Sequence, residues 1–437
     1  MKPTSYFVLC AALLLSTFYQ FVDAKISITT TYDPLLVVVI MVKNEEDVIK
    51  ETLRRCLPAD KDLYQHVGFL IFDTGSQDGT IEKTEEFFKE NNITKGIVIQ
   101  EPFVGDDARE IYFDYGWHRN RALDLAKKHF PQAGYHLMPD AEWYLNGMNE
   151  LLEFCAMHQH EKSKHSFVIR LLNASLDFYH HRLFRADSDI RFVGAIHEVP
   201  SCGVQDKAPA ICHFELLPGA KGAQKSQARY SRDKKILLKA HHNDPQSTRT
   251  LYYLAQTCAC LGEWEQAWTY FKKRTEMRGF DQEDYCAMYW LARCTHLLND
   301  PKTNDRWPEA MSYYLQAHQM RPCRIEPLVR IAQHYITDQH AIAYIFALRA
   351  CQKPYPDNEL LFVEKDLYDY ERYNLLGWAC WYTGDLQLGE WAIKKALSAR
   401  PDYPHLHRNF ALYAMKNHPQ IGNEIKDVAN ELMTQTV

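Results

Sequence analysis

Two carboxylates one residue apart, Asp140 and Glu142, stand in "YHLMPDAEWYL" just after an apolar run that stops at Pro139. On extended backbone, residues two apart point to the same side, so this pair could face one hard cation, Mn2+ or Mg2+, through oxygen ligands. A solvated acidic turn would show the same pattern. Further residues of comparable chemistry are spread along the chain. Asp73 closes the run "VGFLIFD", Lys43, Asn44 and Glu45 follow "PLLVVVIMV", and Arg119 lies in "HRNRALDLA". A carboxylate such as Asp73 can accept hydrogen bonds from a nucleoside or cap its own turn, with Asp78 capping the next helix. Lys43 and the forked donors of Arg119 suit phosphate, or they are surface charges. His197 and Glu198 in "FVGAIHEVP" could supply a third metal ligand and a general base, or a core histidine and an ion-paired glutamate. Asp114 and His213 are weaker candidates, for which a structural role is favoured.

The elements that must position these residues alternate. "PLLVVVIMV" reads as a strand covered on both faces, followed by Asn44 as helix cap and Ile49, Leu53 and Cys56 at helical spacing. "VGFLIFD", "GIVIQ" and "YHLM" are three further strands. "TGSQDGT" turns into a helix through Ile81, Thr84 and Phe88, and "HRNRALDLAKKHF" forms another. Strand–helix alternation implies an α/β, doubly wound, mainly parallel sheet. Ligands of such sheets bind beyond the carboxyl ends of the strands, where Lys43, Glu45, Asp73, Asp140 and Glu142 all fall.

After about residue 225 the pattern is helical and repeats. Ala255, Ala267 and Phe271 form one copy, and Gly377, Gly389, Ile393, Ala396 and Pro401 another. Ala310, Tyr314, Ala317 and Pro322 lie between them, with a weaker copy near Ala332 and Ala347. Small residues at helix crossings, an aromatic one turn on and a closing proline are the tetratricopeptide pattern, an all-α solenoid. The "GEW" and "GDL" turns agree with it, and "NDPKTNDRW" is an insertion.

A length of 437 residues suits two domains, and 46% hydrophobic with 24% charged residues is a globular composition. The formal net charge of −6 argues against nucleic acid or anionic lipid as a partner. Residues 1–24, with Lys2, an apolar run and Val22-Asp23-Ala24, read as a secretory signal and, in the alternative, as an uncleaved anchor facing the cytosol. The signal would place the protein in the secretory pathway or periplasm, or outside the cell. "NIT" at Asn92 and "NAS" at Asn173 would be glycosylation acceptors in a secretory lumen. Of 12 cysteines, Cys202 and Cys212 could bridge a short loop, while most of the others fall in helical apolar patterns as buried thiols.

Taken in order, "VVVIMVKNEED", "FDTGSQDGT", "HRNRALDLA", "MPDAEW", "HRLFR" and "FVGAIHEVP" resemble the family 2 glycosyltransferases of GT-A, Rossmann-like fold. The whole chain is similar to enzymes that join this domain (34–220) to tetratricopeptide repeats (225–420). The resemblance implies an inverting transfer of sugar from a nucleotide-diphosphate donor, a UDP-sugar, to a glycan or protein acceptor. It implies donor contacts at Lys43, Glu45, Asp73 and Arg119, a metal at Asp140, Glu142 and His197, and Glu198 as base. Pro139, Glu142 and Trp143 depart from the family's acidic-rich stretch; Trp143 either offers a face to a sugar or packs in the interior. The repeats would hold an acceptor or a peptide in their groove, or buttress the catalytic domain. A relative that binds nucleotide or sugar without turnover, and a scaffold acting through the repeats alone, are the competing readings.

Overall fold

The apolar run Leu36–Val42 (β1) is buried except at half-buried Met41, with alternate residues packed on opposite faces of a sheet. A computed structural model describes residues 28–106, 111–173, 175–203, 206–216 and 223–419; the expected leader and the C-terminal tail lie outside them. Leu36, Val38, Ile40 and Val42 pack with Ile49–Arg55 (α1), Thr80–Glu90 (α2) and Met148–Met157 (α4). Val37 and Val39 meet Tyr115–His129 (α3) on the other side, through Ala122, Leu123 and Ala126. Helices on both faces are what the continuous apolar strand required.

β1 lies between Val67–Asp73 (β2) and Tyr135–Leu137 (β4), parallel to both, and Gly96–Gln100 (β3) extends the parallel set beyond β2. Beyond β4 the sheet changes character. Leu176–Arg185 (β7) runs antiparallel to β4 and to Ser166–Asn173 (β6); His213–Leu216 (β11) follows, and Trp143–Asn146 (β5) closes the order β3-β2-β1-β4-β7-β6-β11-β5. Phe192–Val193 (β8) and Val199–Pro200 (β9) pair apart from this sheet, and Asp206–Lys207 (β10) joins β6. The sheet is therefore mixed, with its antiparallel pairings confined to the part beyond β4. The β6–β7 hairpin makes the difference, because no helix intervenes between those strands and they pair directly.

From Ala223–Asn243 (α5) the chain is almost wholly helical. Successive helices pair antiparallel: Thr248–Cys260 (α6) with Trp264–Thr275 (α7), Asp281–Leu297 (α8) with Trp307–Met320 (α9), and Glu326–Tyr335 (α10) with His340–Cys351 (α11). Arg372–Thr383 (α12) and Leu386–Ala399 (α13) form the last hairpin, and Pro404–Asn417 (α14) ends the stack. The small positions Ala255, Ala267, Ala310, Ala317, Ala332 and Ala347 are all fully buried at the crossings. The "GEW" and "GDL" turns both place their glycine at positive φ, 76° at Gly262 and 88° at Gly384. This half is a solenoid of tetratricopeptide-like hairpins, with "NDPKTNDRW" forming the loop between α8 and α9. No described helix is long and apolar enough to cross a membrane.

The two halves share the sheet. Val363–Glu364 (β12), from the repeat half, pairs antiparallel with Leu176 and Asp177 of β7. β7 has ten residues, and three-residue β4 covers only its far end, so β12 occupies edge that β4 leaves open. Tyr179 N donates to Leu360 O and Lys365 N to Ser175 O, both at 2.8 Å, extending the seam.

Candidate functional site

Chain order in the parallel half creates the crevice. From β1 the chain moves outward through β2 and β3, then returns to place β4 on the other side of β1. The strand order reverses there, and the space beyond the carboxyl ends of β1 and β4 is where such sheets take ligands. Val42 and Asp73 end β1 and β2 as register partners. β4 stops at Leu137 opposite Val38, after which Met138, Pro139 and Asp140 lead out of the sheet.

Arg119 joins the residues around this crevice. It sits early in α3, whose N-terminus is capped by Asp114 Oδ1 accepting from Trp117 N at 2.8 Å. Its buried guanidinium donates through Nη2 to Asp140 Oδ1 at 2.7 Å and through Nε to Glu198 Oε1. Three residues expected to act separately, as phosphate ligand, metal ligand and base, thus form one ion-paired cluster. Desolvation opposes ionisation of Asp140, but Arg119 and Arg182 outweigh it and bring the carboxyl down to about 2. Burial also works against the charge on Arg119, and Asp140 and Glu198 overcome it, so its pKa rises.

Arg182 is the member that sequence reasoning missed. It lies inside the quoted "HRLFR", and period-two alternation along β7 places it on the same face as His180; that alternation was the available signal. Its side chain is 6% exposed, with Nη2 3.7 Å from Asp140 Oδ2 and Nη1 4.0 Å from Glu198 Oε1. The guanidinium lies 4.9 Å from the Trp143 ring centroid. Trp143 is itself buried against His180 and Phe214, so it packs in the interior and forms the floor under Arg182.

The remaining expected residues are placed differently. Asp140 and Glu142 do not lie on extended backbone: Trp143 N donates to Asp140 O at 3.0 Å, closing a turn, so the same-side argument for the pair fails. His197, at φ 51°, stacks on Tyr253 of α6, with centroids 3.9 Å apart and planes 10° from parallel. Its carbonyl accepts from Nε and Nη2 of Arg249, each at 3.1 Å. The His197 ring thus docks on the repeats. Buried Asp73 caps its own turn, accepting from Ser76 N at 3.0 Å and Gly75 N at 3.3 Å. Asp78 accepts from Thr80 N at 3.1 Å at the start of α2. Lys43 is exposed at the end of β1, its Nζ 3.4 Å from Phe103 O. Glu45 N donates to Thr80 Oγ1 at 2.7 Å. Asn44 does not cap α1, which starts at Ile49; its Oδ1 accepts from Gln77 N at 2.8 Å and ties the β1 loop to the β2 loop. His213, on β11, contacts Asn146 of β5 and Glu215 of its own strand. Cys202 and Cys212 are both free thiols, so the expected bridge is not formed.

A resident divalent metal does not fit this arrangement. Among the described residues no group of three or more His, Cys, Asp or Glu could hold one. Asp140 Oδ1 is engaged by Arg119 and Oδ2 faces Arg182. A dication about 4 Å from a guanidinium would be repelled by roughly 8 kcal/mol at an effective dielectric near 20.

No protein-family profile and no curated protein matches the sequence. Among solved structures, the chain is similar to YrrB, described as a TPR protein with an unusual peptide-binding site; identity is 16% and TM-score 0.36, over 46% of this chain and 95% of that one. It is similar to the C-terminal part of a TPR repeat-containing protein from Cytophaga hutchinsonii at 12% identity and TM-score 0.38, over 49% and 77%. MamA (41-end) from Desulfovibrio magneticus RS-1 gives 18% identity and TM-score 0.32, over 43% and 96%. These likenesses are low and say nothing about chemistry.

Proposed function

We propose that the sheet-bearing half transfers a sugar from a nucleotide-diphosphate donor, a UDP-sugar, to a hydroxyl of a glycan or protein acceptor. The observation that carries this reading is the convergence of Arg119, Asp140, Arg182 and Glu198 at the strand-order reversal, in line with Asp73 and Lys43. An acceptor oxygen attacks the anomeric carbon, the bond from that carbon to the diphosphate oxygen breaks, and the configuration inverts. The nucleoside diphosphate leaves with the bonding electron pair, and Glu198 takes the acceptor proton. Among the described residues Glu198 accepts hydrogen bonds only through Oε1, which leaves Oε2 for that proton. Arginine donors neutralise charge on the departing diphosphate.

The test is nucleotide release from a panel of nucleotide sugars by the purified chain, with and without Mn2+ and chelator. Release that falls at least about a hundredfold in Glu198→Gln supports the assignment of the base. Release unchanged in that variant removes Glu198 from the role, and no release from any donor favours a relative that binds without turnover.

A second reading concerns the repeats. Trp378 and Tyr382 on α12 and Trp391 on α13 are exposed, which favours docking of an acceptor protein or peptide on the last hairpin. Loss of transfer to a protein acceptor in Trp378→Ser and Tyr382→Ser, with donor hydrolysis unchanged, is the expected outcome. Equal loss of both activities would contradict it.

A further inference from the structure

Arg182 carries one of the buried side-chain nitrogens that lack a partner among the described residues, and it alone of these lies in the cluster around Asp140. Its side chain is 6% exposed, yet among the described residues its guanidinium makes no hydrogen bond, and Nε is buried without a partner. Asp140 and Glu198 approach only to 3.7 and 4.0 Å, beyond hydrogen-bond reach. Both carboxylates give their close contacts to Arg119 instead. The cluster therefore contains one arginine that satisfies the carboxylates and one whose donors remain open.

A buried guanidinium with unused donors is costly unless a ligand takes them. This one is held on a rigid support, in the middle of β7 and over the buried Trp143 ring. It lies beside Asp140, where the chain leads out of the sheet past the carboxyl end of β4. A planar fork of N–H donors is the complement of phosphate oxygens. Both oxygens of Asp140 face guanidinium groups, so a cation at the place where a metal was expected would meet Arg119 and Arg182.

We propose that Arg182 is the anchor for the diphosphate of the donor, and that this protein binds a nucleoside diphosphate without a divalent metal. The proposal rests on the nucleotide-sugar reading, and the shared chemistry is a pyrophosphate group. Calorimetric titration of the full chain with UDP, inorganic pyrophosphate and uridine, each in chelator and again with Mn2+, separates the possibilities. UDP binds in chelator with an affinity within about threefold of that with Mn2+. Arg182→Ala weakens UDP and pyrophosphate by at least about tenfold and leaves uridine unchanged, with Arg182→Lys intermediate. UDP binding that requires Mn2+ overturns the proposal, and this measurement needs no variant. UDP binding unchanged in Arg182→Ala overturns it as well. Pyrophosphate bound through Arg182 with no nucleotide bound sustains the anion site and overturns the nucleotide reading. No binding of UDP or pyrophosphate under either condition overturns both.

Discussion

Arg119 decides most at the residue scale, because it pairs with two carboxylates at once. Its side chain is 4% exposed and that of Glu198 8%, whereas Asp140 at 36% retains contact with water. Removing the cation strands Glu198 in the interior, so Arg119→Ala destabilises the fold by about 3 kcal/mol, readable as a lowered urea midpoint. His136 on β4 makes a second case. It is buried, its Nε2 has no partner, and desolvation, with Lys127 adding to it, pushes its pKa down to about 3. The unfolded chain takes up a proton near pH 6.5 that the folded chain refuses, so the contribution to stability is complete above about pH 6.5 and is lost as pH falls toward 3. Replacing the imidazole with an apolar side chain in His136→Leu makes the loss of stability between those limits shallower in pH-resolved urea titrations. An unchanged slope would show that other buried histidines carry it.

Loops rather than strands bring the site together at the element scale. Gly194, Ala195, Ile196, His197 and Glu198 are wedged between α3 and the first repeat hairpin. Tyr115 N donates to Ala195 O at 2.8 Å, and a Cβ on Gly116 would meet Gly194 O at 2.5 Å, so the helix can approach only because that residue is glycine. Ile196 is buried among repeat residues including Tyr252 and Tyr253, and Arg249 grips the His197 carbonyl. The repeats therefore set the position of Glu198 from outside the sheet. Arg249→Ala is expected to lower nucleotide release about tenfold or more while UDP affinity stays unchanged, with partial rescue by Arg249→Lys. A parallel fall in binding would mean that the loop supports the donor site instead. This contact was not legible in the sequence: His197 and Arg249 lie 52 positions apart in different halves, and neither motif carries a sign of the other.

The whole molecule is held as one unit by the β12 seam. Buried Asp177 accepts from Arg170 Nε at 2.8 Å and from the Tyr355 hydroxyl, while Arg321 and Arg324 both bond Glu359 nearby. A strand lent across the boundary gives the halves a common set of backbone hydrogen bonds, so thermal unfolding of the full chain follows a single transition in calorimetry. Asp177→Ala leaves Arg170 without its carboxylate beneath β12, and the single endotherm separates into two. One undivided endotherm in that variant would show that the repeats and sheet are coupled elsewhere.

Local periodicity determined a large part of this protein. Continuous Val and Ile runs specified strands buried on both faces, and β1, β2, β3 and β4 lie within two residues of where those runs place them. Small residues at fixed spacing specified the hairpins, because only small side chains let two helices cross closely. Residue type and strand-end position likewise brought out Asp140, while Arg119 and Glu198 stood out by the motifs that carry them. Tertiary structure decided how those groups are used. Whether Asp140 faces a cation or a guanidinium, whether Trp143 covers a sugar or the core, and which arginine keeps its donors open depend on contacts among residues far apart in sequence. Charge pairing across a folded crevice leaves no trace in the period of a single strand: alternation along β7 sets the face on which Arg182 lies, and only three dimensions show which carboxylates it meets.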